Sequence, residues 1–252
     1  MKTNKRTTFC IFSYFILGVL SSFAQSKDLY TQENKFVKRY TTLSNGSGDA
    51  AQFGIDFKAF LSANPTTIDF PFNKLKNNSF YLTTSSDGNL RHYAWDTFQG
   101  GSMHFFDEIY QWKDGSKVSL KQSKSSAEGS SGEFSSKMYT INIQNKNHYL
   151  VVTNSIFSNR DSRQSVIAYV INNGKLVLAP IFKTKTQLLS RIDVDFDFFT
   201  VADRPERPLQ LITFNDKQDM LLIPVVNENG KVTKRNIMYI FNGSVLEYKG
   251  IK

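Results

Sequence analysis

Ser79–Trp112, SFYLTTSSDGNLRHYAWDTFQGGSMHFFDEIYQW, is the stretch that decides the fold class. It reads as a run of β-strands punctuated by Asp87-Gly88 and Gly100-Gly101, and it holds both tryptophans and two of the three histidines. The residues here and downstream are those that fit a pleated, half-buried surface: Tyr81, Thr83, Tyr93, Trp95 and Thr97, then Ile141, Ile143, Val151, Val152, Val166, Ile167, Tyr169 and Val170. Two-residue turn signals follow at Asp114-Gly115, Asn173-Gly174, Asn229-Gly230 and Asn242-Gly243. Asn or Asp before Gly tolerates the positive φ that a tight hairpin needs. Helical patterning is nearly absent from Ser79 onward.

Working outward, the pattern repeats. INIQNKNHYLVV (Ile141–Val152) aligns with ITFNDKQDMLLI (Ile212–Ile223). SVIAYVINNGKLVL (Ser165–Leu178) aligns with NIMYIFNGSVLEY (Asn236–Tyr248), and DEIYQWKDGSKVSL (Asp107–Leu120) is a looser third copy. Each unit reads as four short strands. Such units cannot bury their apolar faces alone and must pack on one another. The sequence therefore predicts a mainly β fold of repeated antiparallel meanders, irregular and propeller-like or multi-sheet, behind a short N-terminal helical segment. Face-to-face packing into a sandwich is the alternative. Ser123–Ser136 (SKSSAEGSSGEFSS) reads as a mobile Ser/Gly-rich loop between units.

Upstream of Ser79 the text is different. Lys2, Lys5 and Arg6 precede a short apolar core, Phe9–Leu20, and Ser22-Phe23-Ala24 is a small-x-small cleavage signal. This predicts a cleaved secretory signal peptide over residues 1–24, because the apolar run is about 12 residues where a bilayer span needs about 20. Periplasmic or extracellular localisation follows. Ser26–Tyr40 suggests a short amphipathic helix. Asp49 can cap a second helix to about Ser62, with Ala50, Phe53, Phe57, Phe60 and Leu61 on its apolar face and Asn64-Pro65 ending it. The expected division is a leader at 1–24, a helical lead at 25–78 packed on the body, and an all-β repeat domain at 79–252.

The net charge is +9, with 31 Lys and Arg against 22 Asp and Glu. Three of the basic residues lie in the leader, so the remaining 28 exceed the 22 acidic ones by six. This charge is spread out, with no basic helix, so nucleic acid is not an expected partner. The one cysteine, Cys10, also lies in the leader, which excludes a disulfide, a thiolate metal site and a Cys nucleophile from the rest.

DFPFNKL (Asp69–Leu75) followed by LTTSSDGNLRHYAWDTFQGGSMHFFD (Leu82–Asp107) resembles a set of uncharacterised exported β-repeat proteins of Bacteroidetes-type bacteria, mainly over residues 68–112. The resemblance implies export and an all-β body behind a short helical lead. It transfers no catalytic residue.

Three constellations are candidates for chemistry. Arg91, Tyr93 and Trp95 share one strand face, and Tyr110 and Trp112 share another. With Asp96 and His104 they are the candidate ligand-binding set, Arg91, Tyr93, Trp95, Asp96, His104 and Trp112, read as a stacking platform for a glycan or peptide. Core packing is the plainer reading of such aromatics. His92, Asp96, His104, Asp107 and Glu108 fall close together and carry the groups for a zinc site or for acid–base work. No HExxH spacing supports a zincin, and ordinary cross-strand hydrogen bonding is the simpler reading. Asp193, Asp195 and Asp197 alternate along a strand, about 6.6 Å apart, too spread for one Ca²⁺ without a bulge. Lys183 and Lys185 are the expected cross-strand partners of Asp195 and Asp193.

No nucleophile elbow, phosphate loop or dinucleotide fingerprint is present. No catalytic residue, metal or cofactor is assigned. The function the sequence favours is an exported non-catalytic binding or interaction module for a glycan, a peptide or an envelope protein. The alternative is an envelope-acting hydrolase with Asp96, Asp107 or Glu108 as acid–base residues.

Overall fold

The structure, a computed structural model, describes residues 28–123 and 131–252. The signal peptide read at residues 1–24 and the centre of the Ser/Gly-rich loop lie outside the described residues.

The three repeats become three meanders. The first sheet is β1 (Tyr81–Thr84), β2 (Leu90–Asp96), β3 (Phe106–Asp114) and β4 (Lys117–Ser123), paired in that order. The second begins with β5 (Phe134–Ile143), β6 (Lys146–Ile156), β7 (Asp161–Asn172) and β8 (Lys175–Leu178). The third meander is β12 (Thr213–Asn215), β13 (Met220–Val226), β14 (Val232–Phe241) and β15 (Leu246–Ile251). The aligned segments occupy corresponding hairpins, β5–β6 with β12–β13 and β7–β8 with β14–β15. Between the last two units, β11 (Arg191–Asp197) joins the edge of the second sheet beside β7. β9 (Phe182–Lys183) and β10 (Leu188–Leu189) extend the third, with β9 parallel to β15. The multi-sheet form is the one adopted.

Turn chemistry explains the registers. Asn173 and Gly174 both have positive φ, 50° and 75°, as the tight hairpin joining β7 to β8 requires. Gln144 and Asn145 do the same between β5 and β6, at 51° and 62°. That turn has no glycine, so it carries no dipeptide signal in the sequence.

The helical lead is α1 (residues 28–44), α2 (Ala50–Ala63) and α3 (Asn73–Lys76). The Asp49 side chain caps α2, accepting from Gln52 N–H at 2.9 Å. The buried face of α2, with Phe53, Phe57 and Leu61, packs with Tyr40, Phe72 and Phe80 onto Tyr93, Trp95 and Ile109 of the first sheet. On the opposite face of that sheet, Leu90, Tyr110 and Trp112 pack against Met138, Tyr149 and Val151 of the second. Every residue of β2 is consequently buried. The second and third sheets are joined by a separate apolar core that includes Leu150, Val152, Phe214, Leu221 and Ile223.

Candidate functional site

Because the first sheet is covered on both faces, strand alternation assigns each candidate residue a side. Odd-numbered positions of β2 face the helices. Trp95 is fully buried there, 5.6 Å from the Phe53 ring and stacked on Phe80 at 5.6 Å. The Tyr93 hydroxyl donates to Gln111 Oε1 at 2.7 Å. Arg91 donates to Thr67 O at 2.9 Å and to Phe70 O, tying the connector before β1 to the sheet. Trp112 lies on the other face, and its indole N–H donates to Gly174 O at 3.0 Å. The stacking platform is thus corrected: Arg91, Tyr93, Trp95 and Trp112 are core residues that no ligand reaches. The sequence showed their shared faces but not that each face has a cover.

The His/acid group separates into two pairs. His92, fully buried, takes Glu108 Oε2 at 2.8 Å on Nε2 and Ser135 Oγ at 2.7 Å on Nδ1. Ser135 Oγ in turn lies 2.5 Å from Thr83 Oγ1. This hydroxyl–imidazole–carboxylate chain has the order of a nucleophilic triad. Ser135, however, is only 2% exposed, and the chain spans β1, β2, β3 and β5. It staples two sheets and offers no nucleophile to a substrate. Asp107 points the opposite way from Glu108, towards α2.

His104 is different. It lies in the loop before β3, its backbone N–H donating to Ile156 O at 3.1 Å. Its Nδ1 lies 2.5 Å from Asp96 Oδ2, with the imidazole 44% exposed and the carboxylate 11%. The other Asp96 oxygen accepts the Phe98 N–H at 2.8 Å. Asp96 therefore holds the ring through Nδ1, and Nε2 has no hydrogen-bond partner among the described residues. Tyr40 and Tyr81 have hydroxyl pKa values raised above the ordinary one, by burial first and then by the Asp96 charge.

His104 borders a cleft of about 460 Å³ where the first two sheets and the connector to the third meet. Its floor is apolar: Tyr81, Phe134, Ile156, Phe196, Phe198, Pro208 and Leu209. Tyr81 and Phe134 stack with centroids 3.8 Å apart. Its polar lining includes exposed Arg207, partly buried His104 and Arg163, and buried Asn154 and Ser162. Buried Gln164 fixes the connector, donating to Leu209 O at 2.8 Å and accepting Ile212 N–H at 2.6 Å. These lining residues come from distant parts of the chain, so spacing could not have gathered them.

A second, more polar cavity of about 300 Å³ includes Glu108, Glu133 and Arg191. Both Glu133 oxygens are committed there, to the Arg191 guanidinium at 3.1 Å twice and to Thr153 Oγ1 at 2.7 Å.

The β11 aspartates are each paired within the protein. Arg163 binds Asp195 through two nitrogens at 2.6 and 2.9 Å. Asp193 accepts from Ser165 Oγ and Arg191 Nε, both at 2.6 Å. Asp197 accepts from Arg160 Nε at 2.7 Å, which holds its carboxyl below the ordinary value. The expected lysine partners are corrected. β11 pairs with β7, while Lys183 pairs with Glu247 at 3.1 Å and Lys185 lies over the Tyr248 ring. Among the described residues, no group of three His, Cys, Asp or Glu is placed to hold a metal ion. Nor is any helix there long and apolar enough to cross a membrane.

No protein-family model, no curated protein and no solved structure matches the chain.

Proposed function

We propose that the protein is an exported binding module that takes a ligand, or one group of a glycan or peptide, in the cleft beside His104. The observation that carries this reading is the cleft: about 460 Å³, within the range of small-ligand sites, with an apolar floor and a few convergent polar groups. The apolar floor supplies contact area and the Nε2 of His104 supplies direction. Export rests on the leader pattern at residues 1–24. The resemblance of residues 68–112 to exported β-repeat proteins supports the same location.

The test is a glycan array and a peptide array probed with the wild type and with Ser102→Trp. Ser102 is exposed at the cleft, so the indole fills it without disturbing a core. Binders retained by the wild type and lost by S102W support the reading. Identical profiles for both proteins contradict it.

The Asp96–His104 pair supports one alternative, an envelope hydrolase. A histidine oriented by a carboxylate and open to a cleft is equipped to take a proton from water. Hydrolysis of an ester or glycoside panel that is lost in His104→Ala would favour it.

A further inference from the structure

Among the charged groups of the described residues at the cleft, Arg207 is the one with no ion-paired carboxylate, although the Glu206 carboxyl feels its charge. Arg163 is paired with Asp195, and Asp96 is covered by His104 and by the Phe98 N–H. Arg207 is held otherwise. Its Nη1 donates to Arg204 O at 2.6 Å and Glu206 O at 2.7 Å, and its Nη2 to Ala202 O at 2.9 Å. These acceptors are backbone carbonyls. Among the described residues, Arg207 forms no ion pair, and the neighbouring Glu206 pairs with Arg204 at 3.4 Å. The guanidinium carbon sits 5.6 Å from the Phe198 ring centroid. A positive charge, exposed at the edge of an apolar cleft, is therefore already anchored by three backbone carbonyls, which lowers the side-chain ordering cost when a ligand arrives.

Resting on the binding reading above, we infer that the cleft takes an amphipathic organic anion. Its apolar body lies on Tyr81, Phe134, Phe196 and Leu209, and its carboxylate or equivalent faces Arg207. A free organic acid and the C-terminus of an apolar peptide both present this chemistry.

The test uses matched pairs that differ in charge alone: octanoate with octanamide, and N-acetyl-leucyl-phenylalanine with its C-terminal amide. Each is titrated calorimetrically into the wild type, Arg207→Gln and Arg207→Lys, with melting curves to establish that each variant folds. In the wild type, the acid of at least one pair binds about tenfold tighter than its amide. That preference disappears in R207Q and persists, weakened, in R207K. The pair that shows it tells the free acid from the peptide terminus. Equal affinities for acid and amide, or a preference that survives R207Q, overturn the inference while the binding reading stands on the amide. No binding of any probe overturns the inference. The binding reading falls with it if S102W also leaves the arrays unchanged.

Discussion

His92 of the first sheet and His104 of the loop leading into its β3 are each hydrogen-bonded to a carboxylate, and they lie in contrasting surroundings. His92 is in the middle of β2, sealed between Glu108 and Ser135 at the seam with the second sheet. His104 is in a loop at the mouth of a cleft, with Asp96 behind it. The chemical groups are the same, and what separates them is access. In the seam both imidazole nitrogens are used by the protein, so the group fixes the angle between two sheets. At the cleft one nitrogen is used and the other is offered. A buried polar chain is costly to break because the remaining members lose their partners away from water. The cleft pair costs less to break, because the imidazole is 44% exposed and water can enter where the ring stood, while Asp96, only 11% exposed, keeps the Phe98 N–H.

The contrast leads to ordered expectations. The largest effect belongs to the core that flanks the seam. Trp95→Ala removes an indole packed among Phe53, Phe57 and Phe80, and the expected loss is about 4 kcal/mol in urea unfolding. A loss below about 1 kcal/mol would mean that Trp95 is not a core residue and would reopen the stacking platform.

His92→Ala comes next, with an expected loss of about 2–3 kcal/mol because Glu108 and Ser135 are left short of a buried partner. Ligand binding by the folded variant is expected to be unchanged. His104→Ala should give the reverse pattern, less than about 1 kcal/mol in stability with a clear loss of affinity at the cleft. Equal stability losses for the two variants would dissolve the distinction between seam and cleft.

Asp87 sharpens the comparison from another side. Its carboxylate accepts from Ser85, Asn89, Asn147 and Tyr149, so the β1–β2 turn is fastened to β6. Burial alone would raise its pKa, but those hydrogen bonds more than offset this and hold it below the ordinary carboxylate value. Its contribution to stability is therefore complete above the unfolded value and is lost as pH falls through the lower folded value. Asp87→Asn is expected to cost about 2 kcal/mol at neutral pH and to flatten the acid limb of the stability profile, followed by fluorescence. An unchanged acid limb would remove Asp87 from the seam. Trp112→Phe, which loses the hydrogen bond to Gly174 O and part of the buried indole's volume, should cost about 1–2 kcal/mol.

Much of this architecture is legible in the sequence. Period-two apolar patterning and Asp-Gly or Asn-Gly punctuation mark the strands of the three units, and Asp49 with Asn64-Pro65 brackets α2 within a residue. The cover on each sheet face is not legible. Alternation places Tyr93 and Trp95 on one face, but α2 covering that face is a tertiary fact. The cleft is hidden for the same reason, since Tyr81, Phe134, Phe196 and Leu209 meet only once Gln164 of β7 fastens the connector from β11 to β12. Asp96 and His104 were visible as candidates because they are close in sequence. Arg207 was not, because its significance depends on the absence of a carboxylate partner in space.

The most direct measurement follows the imidazole NMR signals of His92, His104 and His148 while octanoate and, separately, N-acetyl-leucyl-phenylalanine are added to the wild type, and it is read on whichever acid binds. The expected result is a saturable shift of the His104 signal, with those of His92 and His148 unmoved. A shift at His92, or none that saturates at His104, would contradict the assignment of one histidine to the seam and the other to a binding cleft.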